Sequence, residues 1–434
     1  MTSTILTIVD EVDPARVNQL AAALQAARQP VPVSSDRLRP VRPNEAGHIF
    51  GEVPGLHFAS VVLFNARLSG PGPLLVLELN FDGSVDEFLP ILVERTGPTL
   101  AGFFSCCRGY RASNNDLDQL EPYLRRYLVR PGAFHIGNVG RSVPRIREEA
   151  SLHEELQKRL DHRRKQASGF SSAEDAYQFL RAQIKDPSFR WVTAPHARQS
   201  LPERVLPRVR LWAVAAAAVA SAVIAWFIVI PLAVALVLFL RFREILDRPM
   251  PIADLDPAYV RQLADAEDFG AQNHLASLTT VKPGLFRNLL LRVVLWGANL
   301  VARTSTQGKL GGIPSIHYAH WSLVDGGRRL LFLSNYGGSW ESYLDDFIDK
   351  ASVGLTGIWS NTVGFPKTRF LVLGGARDGV TFKAFARMSS ATAALWYSAY
   401  PHLTVPEIQN FSDLREGLVK PVAGEKVRAW LQRW

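Results

Sequence analysis

The sequence predicts an α+β protein: two tandem βαββαβ modules forming a pseudo-dimer, joined by a membrane-inserted helical linker. Three observations predict it. First, three separate blocks recur in the same order and nearly the same spacing. Gly51-Glu52-Val53-Pro54-Gly55-Leu56-His57-Phe58-Ala59 returns as Gly311-Gly312-Ile313-Pro314-Ser315-Ile316-His317-Tyr318-Ala319, Asn80-Phe81-Asp82-Gly83-Ser84 as Asn335-Tyr336-Gly337-Gly338-Ser339, and Val143-Pro144-Arg145-Ile146 as Val405-Pro406-Glu407-Ile408. Blocks kept in register in this way mark an internal duplication. Second, strand and helix patterns follow one another in the same order in both copies. Third, an unbroken apolar run of 30 residues, Leu211–Leu240, lies between the copies. The modules span 1–156 and 273–434, and the linker spans 157–272.

In the first module, Thr4–Val9 is short and β-branched and reads as a strand. Asp13-Pro14 opens a helix over Ala15–Ala27, with proline in the first turn. Leu56–Phe64 and Leu74–Phe81 are two further strands joined by the Gly/Pro loop Ser69–Pro73. Ser84 caps a helix whose Phe88, Leu89, Leu92 and Val93 repeat at helical spacing. Ala133–Val139 closes the module as a strand. This order is the ferredoxin-like, or split βαβ, arrangement.

The second module repeats it. Leu278–Val281 matches Leu6–Val9, and Pro283 matches Pro14. The helix Leu285–Ala302 is apolar enough to suggest a second membrane element, but the repeat makes it a packing helix, with interfacial docking as the other reading. Strands follow at Ile316–Val324 and Arg329–Tyr336 around the turn Asp325-Gly326-Gly327. Ser339 caps the next helix. A further strand at Arg369–Leu373 and a helix at Thr381–Met388 complete the module.

The linker holds a basic stretch, a helix capped by Ser172, the apolar run, and a Pro/Asp-rich patch at Pro249–Pro257. One crossing needs roughly 20 apolar residues. The run therefore either crosses once as a long helix kinked at Pro231 or returns as a hairpin of two short arms. Arg198, Arg204, Arg208 and Arg210 precede it, and Arg241 and Arg243 follow it. Positive charge at both flanks favours the cytoplasmic side for both ends, hence the inner membrane with both modules cytoplasmic.

The net charge of +9 at pH 7 gathers around this run, which points to the lipid bilayer as partner and away from nucleic acid. Met1–Asp10 is too short and polar for a signal-peptide core. The two cysteines, Cys106 and Cys107, are adjacent and read as reduced structural thiols.

A duplication supplies an internal control. Residues common to both copies maintain the fold, and polar residues present in one copy only are candidates for a site. His57 and His317 open equivalent strands; each is either a strand-end histidine satisfied by a carbonyl or a ligand or base. Asn80 and Asn335 end equivalent strands as turn supports. In the second copy Trp340-Glu341-Ser342-Tyr343-Leu344-Asp345-Asp346 replaces a plainer helix start. Glu341 and Asp345 share a helix face, either as an acid/base pair or simply as acids favoured by the helix dipole. Trp359 replaces Phe104, Asn361 replaces Cys106, and His320 replaces Ser60. His317 and His320, three apart on a strand, should face opposite ways, so no joint metal site is expected. No HExxH, CxxC or P-loop is present, and Gly374-Gly375 after a strand is a weak phosphate signal.

Tandem modules with strands Leu56–Phe64 and Leu74–Phe81 followed by Asp82-Gly83 and a long helix resemble the dimeric α+β barrel superfamily. That group includes the dye-decolourising peroxidases and chlorite dismutases, and the membrane run makes the chain resemble bacterial membrane-anchored relatives of the fold. The resemblance implies haem as a cofactor. The GxxDG motif is half present: Asp82-Gly83 stands with Leu79 where the first glycine belongs, and Gly337-Gly338 lacks the aspartate. After His320 only His402, in a Pro-flanked loop, remains as a further histidine.

Two functions follow as expectations. One is a membrane-anchored barrel that binds a hydrophobic or haem-like small molecule, with peroxidase-like redox activity. Its catalytic set would be Glu341, His317 and Asp345, its ligand contacts would be Trp340, Trp359, Asn361, Asn335 and His57, and no metal would be bound directly by side chains. The other is a non-catalytic scaffold or interaction module at the membrane, with those residues dispersed.

Overall fold

A computed structural model describes residues 3–28, 48–65, 72–110, 117–166, 169–194, 201–304 and 310–434. Most of the Ser69–Pro73 loop and Arg198 lie outside the described residues. The first half runs β1 (Ser3–Glu11), α1 (Val17–Ala27), β2 (Leu56–Phe64), β3 (Leu74–Asp82), α2 (Val85–Phe104), α3 (Leu120–Arg126), β4 (Leu128–Val129), β5 (Ala133–Ile136) and α4 (Val143–Arg164). The linker holds α5 (Ala173–Gln183), α6 (Leu201–Ile224), α7 (Trp226–Ile245) and α8 (Pro257–Ala264). The second half runs β6 (Gln272–Thr280), α9 (Leu285–Thr304), β7 (Ile316–Val324), β8 (Arg329–Gly337), α10 (Trp340–Lys350), α11 (Ser352–Trp359), β9 (Thr368–Arg369), β10 (Leu373–Gly374), α12 (Gly379–Ser389), β11 (Ser390–Ala391), β12 (Ala393–Ser398), α13 (Val405–Val419) and α14 (Glu425–Leu431).

The strands form two antiparallel five-stranded sheets, ordered β12-β2-β3-β1-β4 and β11-β6-β8-β7-β5. The protein is thus α+β, with helices laid against antiparallel sheets. The two orders match strand for strand, and so do local irregularities. β2 carries a register shift between Leu56 and Phe58, and β7 carries one between Ile316 and Tyr318. Ser84 and Ser339 each cap the helix that follows the third strand, accepting from Glu87 N and Ser342 N.

Two expectations about the sheets are corrected first. The closing strand does not stay in its own half. Ala133–Ile136 pairs with β7 of the second sheet, and Ala393–Ser398 pairs with β2 of the first. The fourth strands of the two home sheets are only the short β4 and β11. The physical reason lies in the pairing already available: β1 and β6 are flanked on one side by β3 and β8, and only two residues of β4 or β11 reach the other side. The match of Leu6–Val9 with Leu278–Val281 is also three residues out of step. Val9 stands opposite Val76 and Leu278 opposite Leu331, and Val12 and Val281 each bridge to a residue after the second helix, Cys107 and Thr362. Val9 therefore corresponds to Leu278, and the phase agrees with Pro14 and Pro283. Repeated apolar residues on strands buried on both faces leave such a slip invisible to pattern matching.

Each sheet buries one face under helices. Leu77, Leu79, Phe81, Phe88, Leu89 and Leu92 fill the first such layer, and Trp321, Phe332, Phe347, Leu355 and Trp359 fill the second. The other faces meet each other through Val62, Phe64, Leu74, Val76, Ala276, Leu278, Leu331 and Leu333. A separate helical cluster joins Leu152, Leu156, Tyr177 and Leu180 of α4 and α5 to Leu414, Leu418 and Trp430 of α13 and α14. The halves are thus tied by exchanged strands and by helices drawn from both.

In the linker the apolar run breaks at Ala225 (φ −120°, ψ 32°), not at Pro231. Pro231 falls in the second turn of α7, where the helix tolerates it. Trp226–Ile245 and Leu285–Arg303 are long and apolar enough to cross a membrane. Most of α7 is exposed, yet its end is fastened: Leu240 and Glu244 are buried, and Phe239 meets the Phe286 ring at 4.9 Å. The stretch Arg369–Leu373 is not one strand but the turn of a small two-stranded hairpin, Thr368–Arg369 against Leu373–Gly374. Phe370 and Leu371 take left-handed backbone conformations there, which ends the strand.

Candidate functional site

The least expected chemistry lies between the sheets. Strand pairing puts Thr7 and Ser60 on either side of Glu78, and Trp396 beyond Ser60, in one transverse row. Directly paired residues share a face, and this face looks toward the second sheet. From that sheet come Asn335, paired with His274, and His320, further along β7.

Glu78 is fully buried. Its carboxylate accepts from Ser60 Oγ at 3.2 Å, His274 Nε2 at 3.1 Å and Asn335 Nδ2 at 3.4 Å, and His320 Nδ1 lies 3.5 Å away. His320 Nε2 is 2.8 Å from Thr7 Oγ1. If the hydroxyl donates to Nε2, the imidazole proton sits on Nδ1, facing the carboxylate. Asn335 is oriented in turn by Trp396, whose Nε1 donates to its Oδ1 at 2.9 Å. Burial pushes the Glu78 carboxyl up, but the His274 hydrogen bond and the His320 and His274 charges outweigh it and hold the group at about 2. Burial pushes His320 down, with Glu78 opposing. The arrangement is a carboxylate hydrogen-bonded by an imidazole, an amide and a hydroxyl, with a second imidazole 3.5 Å away, drawn from both halves.

A second cluster lies around the two bulges. His57 Nδ1 is 2.8 Å from the Tyr400 hydroxyl, and its Nε2 is 3.1 Å from Asp82 Oδ1. Asp82 Oδ2 accepts from Val143 N at 2.8 Å, at the start of α4, where the helix dipole favours an anion. On the pseudo-equivalent side, His317 Nε2 is 3.4 Å from the Gln272 amide nitrogen, and its ring lies 5.2 Å from that of Phe58. Burial and then the His57 charge push His317 down to about 3. The bulge lets the neighbours His317 and Tyr318 both touch Phe58. Strict alternation therefore fails here, and His317 and His320 are not separated as expected. They still belong to different clusters, and among the described residues no group of three or more His, Cys, Asp or Glu is placed to hold a metal ion.

The expected site residues divide. Asn335 joins the Glu78 row and His57 the Asp82–Tyr400 cluster. Glu341 and Asp345 lie at the surface and share Lys383, at 2.6 and 2.8 Å. Trp340 is buried under Arg387, whose guanidinium carbon stands 3.5 Å from the ring centroid. Trp359 packs in the helix-side core against Trp321 and Phe332. Asn361 is buried and caps its own helix, its Nδ2 donating to Gly357 O at 2.9 Å. His317, Trp340, Glu341, Trp359 and Asn361 therefore do not line one cavity. Cys106 and Cys107 are free and buried, and burial raises both thiols.

Thr7, Ser60, Glu78, His274 and Tyr400 were not singled out from the sequence as site residues. One signal was present: Glu78 is the only charge within the apolar strand Leu74–Phe81. A charge in a strand buried on both faces must be paired. No family model, curated protein or solved structure matches this chain.

Proposed function

We propose that this chain is a membrane-seated scaffold: two ferredoxin-like halves forming a pseudo-dimeric α+β barrel, anchored by α6 and α7 and presenting its surface to a protein partner. The observation that carries this reading is the contrast between a filled interior and an exposed apolar exterior. Between the sheets, an apolar cluster lies beside the Glu78 network. Outside, Trp226, Phe227, Ile228, Leu232 and Leu238 of α7 are exposed, and so is one face of α9 formed by Leu285, Leu289, Val293, Trp296 and Val301. Such a continuous apolar surface is costly in water and favourable in a bilayer. Pro207 near the start of α6 is buried, as are Leu240 and Glu244 near the end of α7, so both flanks are held by the folded body. This supports a returning hairpin with both halves on the cytoplasmic face of the inner membrane.

Haem, which the superfamily resemblance implies, does not fit the described residues. His320 is taken by Thr7 and Glu78, and His317 is enclosed by Phe58, Gln272 and Tyr400. The helix-side layer where a flat macrocycle could lie against the second sheet is filled by Trp321, Phe332 and Trp359. The experiment is to purify the full chain from membranes that resist carbonate extraction and record its absorbance. Carbonate resistance without a Soret band is the expected result. A Soret band would restore the redox reading, and release by carbonate would remove the anchor.

A further inference from the structure

We propose that the cleft beside the cytoplasmic end of α7 binds the phosphate headgroup of an anionic membrane phospholipid. The cleft, about 620 Å3, is lined by Arg241, Lys367, Arg369, Leu373, Gly374 and Asp378, among others. This rests on the membrane seating proposed above.

Position comes first. Arg241 follows directly on the apolar run, so it stands where hydrocarbon gives way to headgroups. The β9–β10 turn beside it exposes Phe370, Val372 and Leu373, three apolar side chains at a loop tip. Phe370 and Leu371 hold φ of 53° and 61°, a strained choice for bulky residues. The buried Glu244 of α7 enforces it: its carboxylate accepts from Phe370 N at 2.8 Å, Leu371 N at 2.9 Å and Thr368 Oγ1 at 3.1 Å. The membrane helix thus fixes the shape of a loop that points apolar side chains outward at its own end.

Charge comes next. Arg241 donates to Thr368 O at 3.2 Å and lies 3.4 Å from Glu244, so these two balance. The other acid, Asp378, caps α12 by accepting from Thr381 N and Thr381 Oγ1 at 3.2 and 2.7 Å. Lys367 and Arg369, both exposed, face the cleft against the single charge of Asp378, which leaves the lining with a net positive charge. Cations above an apolar loop match a phosphate above acyl chains at an anionic surface. Gly374-Gly375 borders the cleft, but packing accounts for it: a Cβ on Gly374 would meet Lys367 O at 2.7 Å, and one on Gly375 the Thr356 side chain at 2.5 Å.

The test is a thermal melt of the full chain in neutral detergent with added phosphatidylglycerol, phosphatidylcholine or inorganic phosphate. Phosphatidylglycerol should raise Tm by several degrees and the other two should not. The Lys367→Gln/Arg369→Gln protein should melt like wild type without lipid and lose most of the rise, and native mass spectrometry should show fewer bound phosphatidylglycerol molecules. An undiminished rise in the double variant, an equal rise with phosphatidylcholine, or full reproduction by inorganic phosphate would each overturn the proposal. Carbonate resistance of the same protein reports separately on the anchor, so loss of lipid selectivity with the anchor intact removes this inference alone.

Discussion

Glu78 and His274 meet at 3.1 Å across the gap between the two sheets, one from each half of the chain. In the strand register the position corresponding to Glu78 is Leu333, and the one corresponding to His274 is Ile5. The two matching sheets therefore differ at their centre, with an apolar residue in one half answering a polar residue in the other. A buried carboxylate without partners would be expensive, and here His274, Asn335 and His320 come from the other half, with Ser60 from its own. Correct docking of the halves is thus coupled to satisfaction of the charge.

Glu78→Gln should preserve volume but turn an acceptor-only group into one that presents an N–H₂ toward donors. We expect a loss of about 1–3 kcal/mol in denaturant unfolding. A variant as stable as wild type would show that the network contributes nothing net.

Acid should destabilise the protein in two windows. Burial holds His317 at about 3 and also lowers His320, so each binds its proton far more readily once unfolded. That contribution is complete above the ordinary histidine value of 6.5 and is lost as pH falls from there toward about 3. Glu78, held at about 2, adds a second loss as pH falls from its ordinary 4.5 toward about 2. Tm measured against pH should decline below about 6.5, and His317→Gln should shrink the upper window, leaving the share of His320, His48 and His153, and should leave the lower window unchanged. An unchanged profile in that variant would mean His317 does not report through its proton.

The exchange of β5 and β12 makes the halves interdependent. Residues 1–156 expressed alone would leave β2 an unpaired edge and Ala133–Ile136 without a sheet. We expect such a half to be insoluble or unfolded by circular dichroism. A folded, monomeric half would show that the exchanged strands are dispensable.

Glu341→Gln should have little effect, within about 0.5 kcal/mol, because its partner Lys383 also holds Asp345 and all three lie at the surface. Asp86→Asn, at the corresponding helix start, removes an exposed partner of Arg125 that Glu121 also serves, and its effect should be equally small. A large loss from Glu341→Gln alone would return that residue to the candidate site.

Much of the fold was legible because matching sequence blocks in the two halves give each signal twice. The helix caps Ser84 and Ser339, the strands at His57 and His317 and the apolar run all lie where residue type and spacing put them. Strand exchange was not legible: Ala133–Ile136 is a strand in either sheet, and nothing local says which. The bulges that bring His317 and Tyr318 onto Phe58 likewise leave no mark on alternation. Of the candidate residues, those that differ in the second copy include surface variation such as Glu341, while the shared His57 and Asn335 fall in the buried clusters. Glu78 breaks the symmetry from the first copy instead, where a single charge among apolar neighbours was the available clue.

The linker makes the sharpest topological prediction. The start of α6 and the end of α7 are both fastened to the folded body, the latter through Glu244 and through Arg243 donating to Pro283 O at 3.4 Å. Arginines occupy both flanks, with Arg208 and Arg248 both exposed. If α6 and α7 return as a hairpin from Ala225, cysteines placed at 208 and 248 must lie on the same side. The native Cys106 and Cys107 are buried and should stay silent. In sealed cells an impermeant maleimide should label neither Arg208→Cys nor Arg248→Cys, and it should label both after the membrane is opened. Labelling of one position alone in sealed cells would mean a single crossing. The contacts that join the two flanks to the same half could then not exist in the membrane.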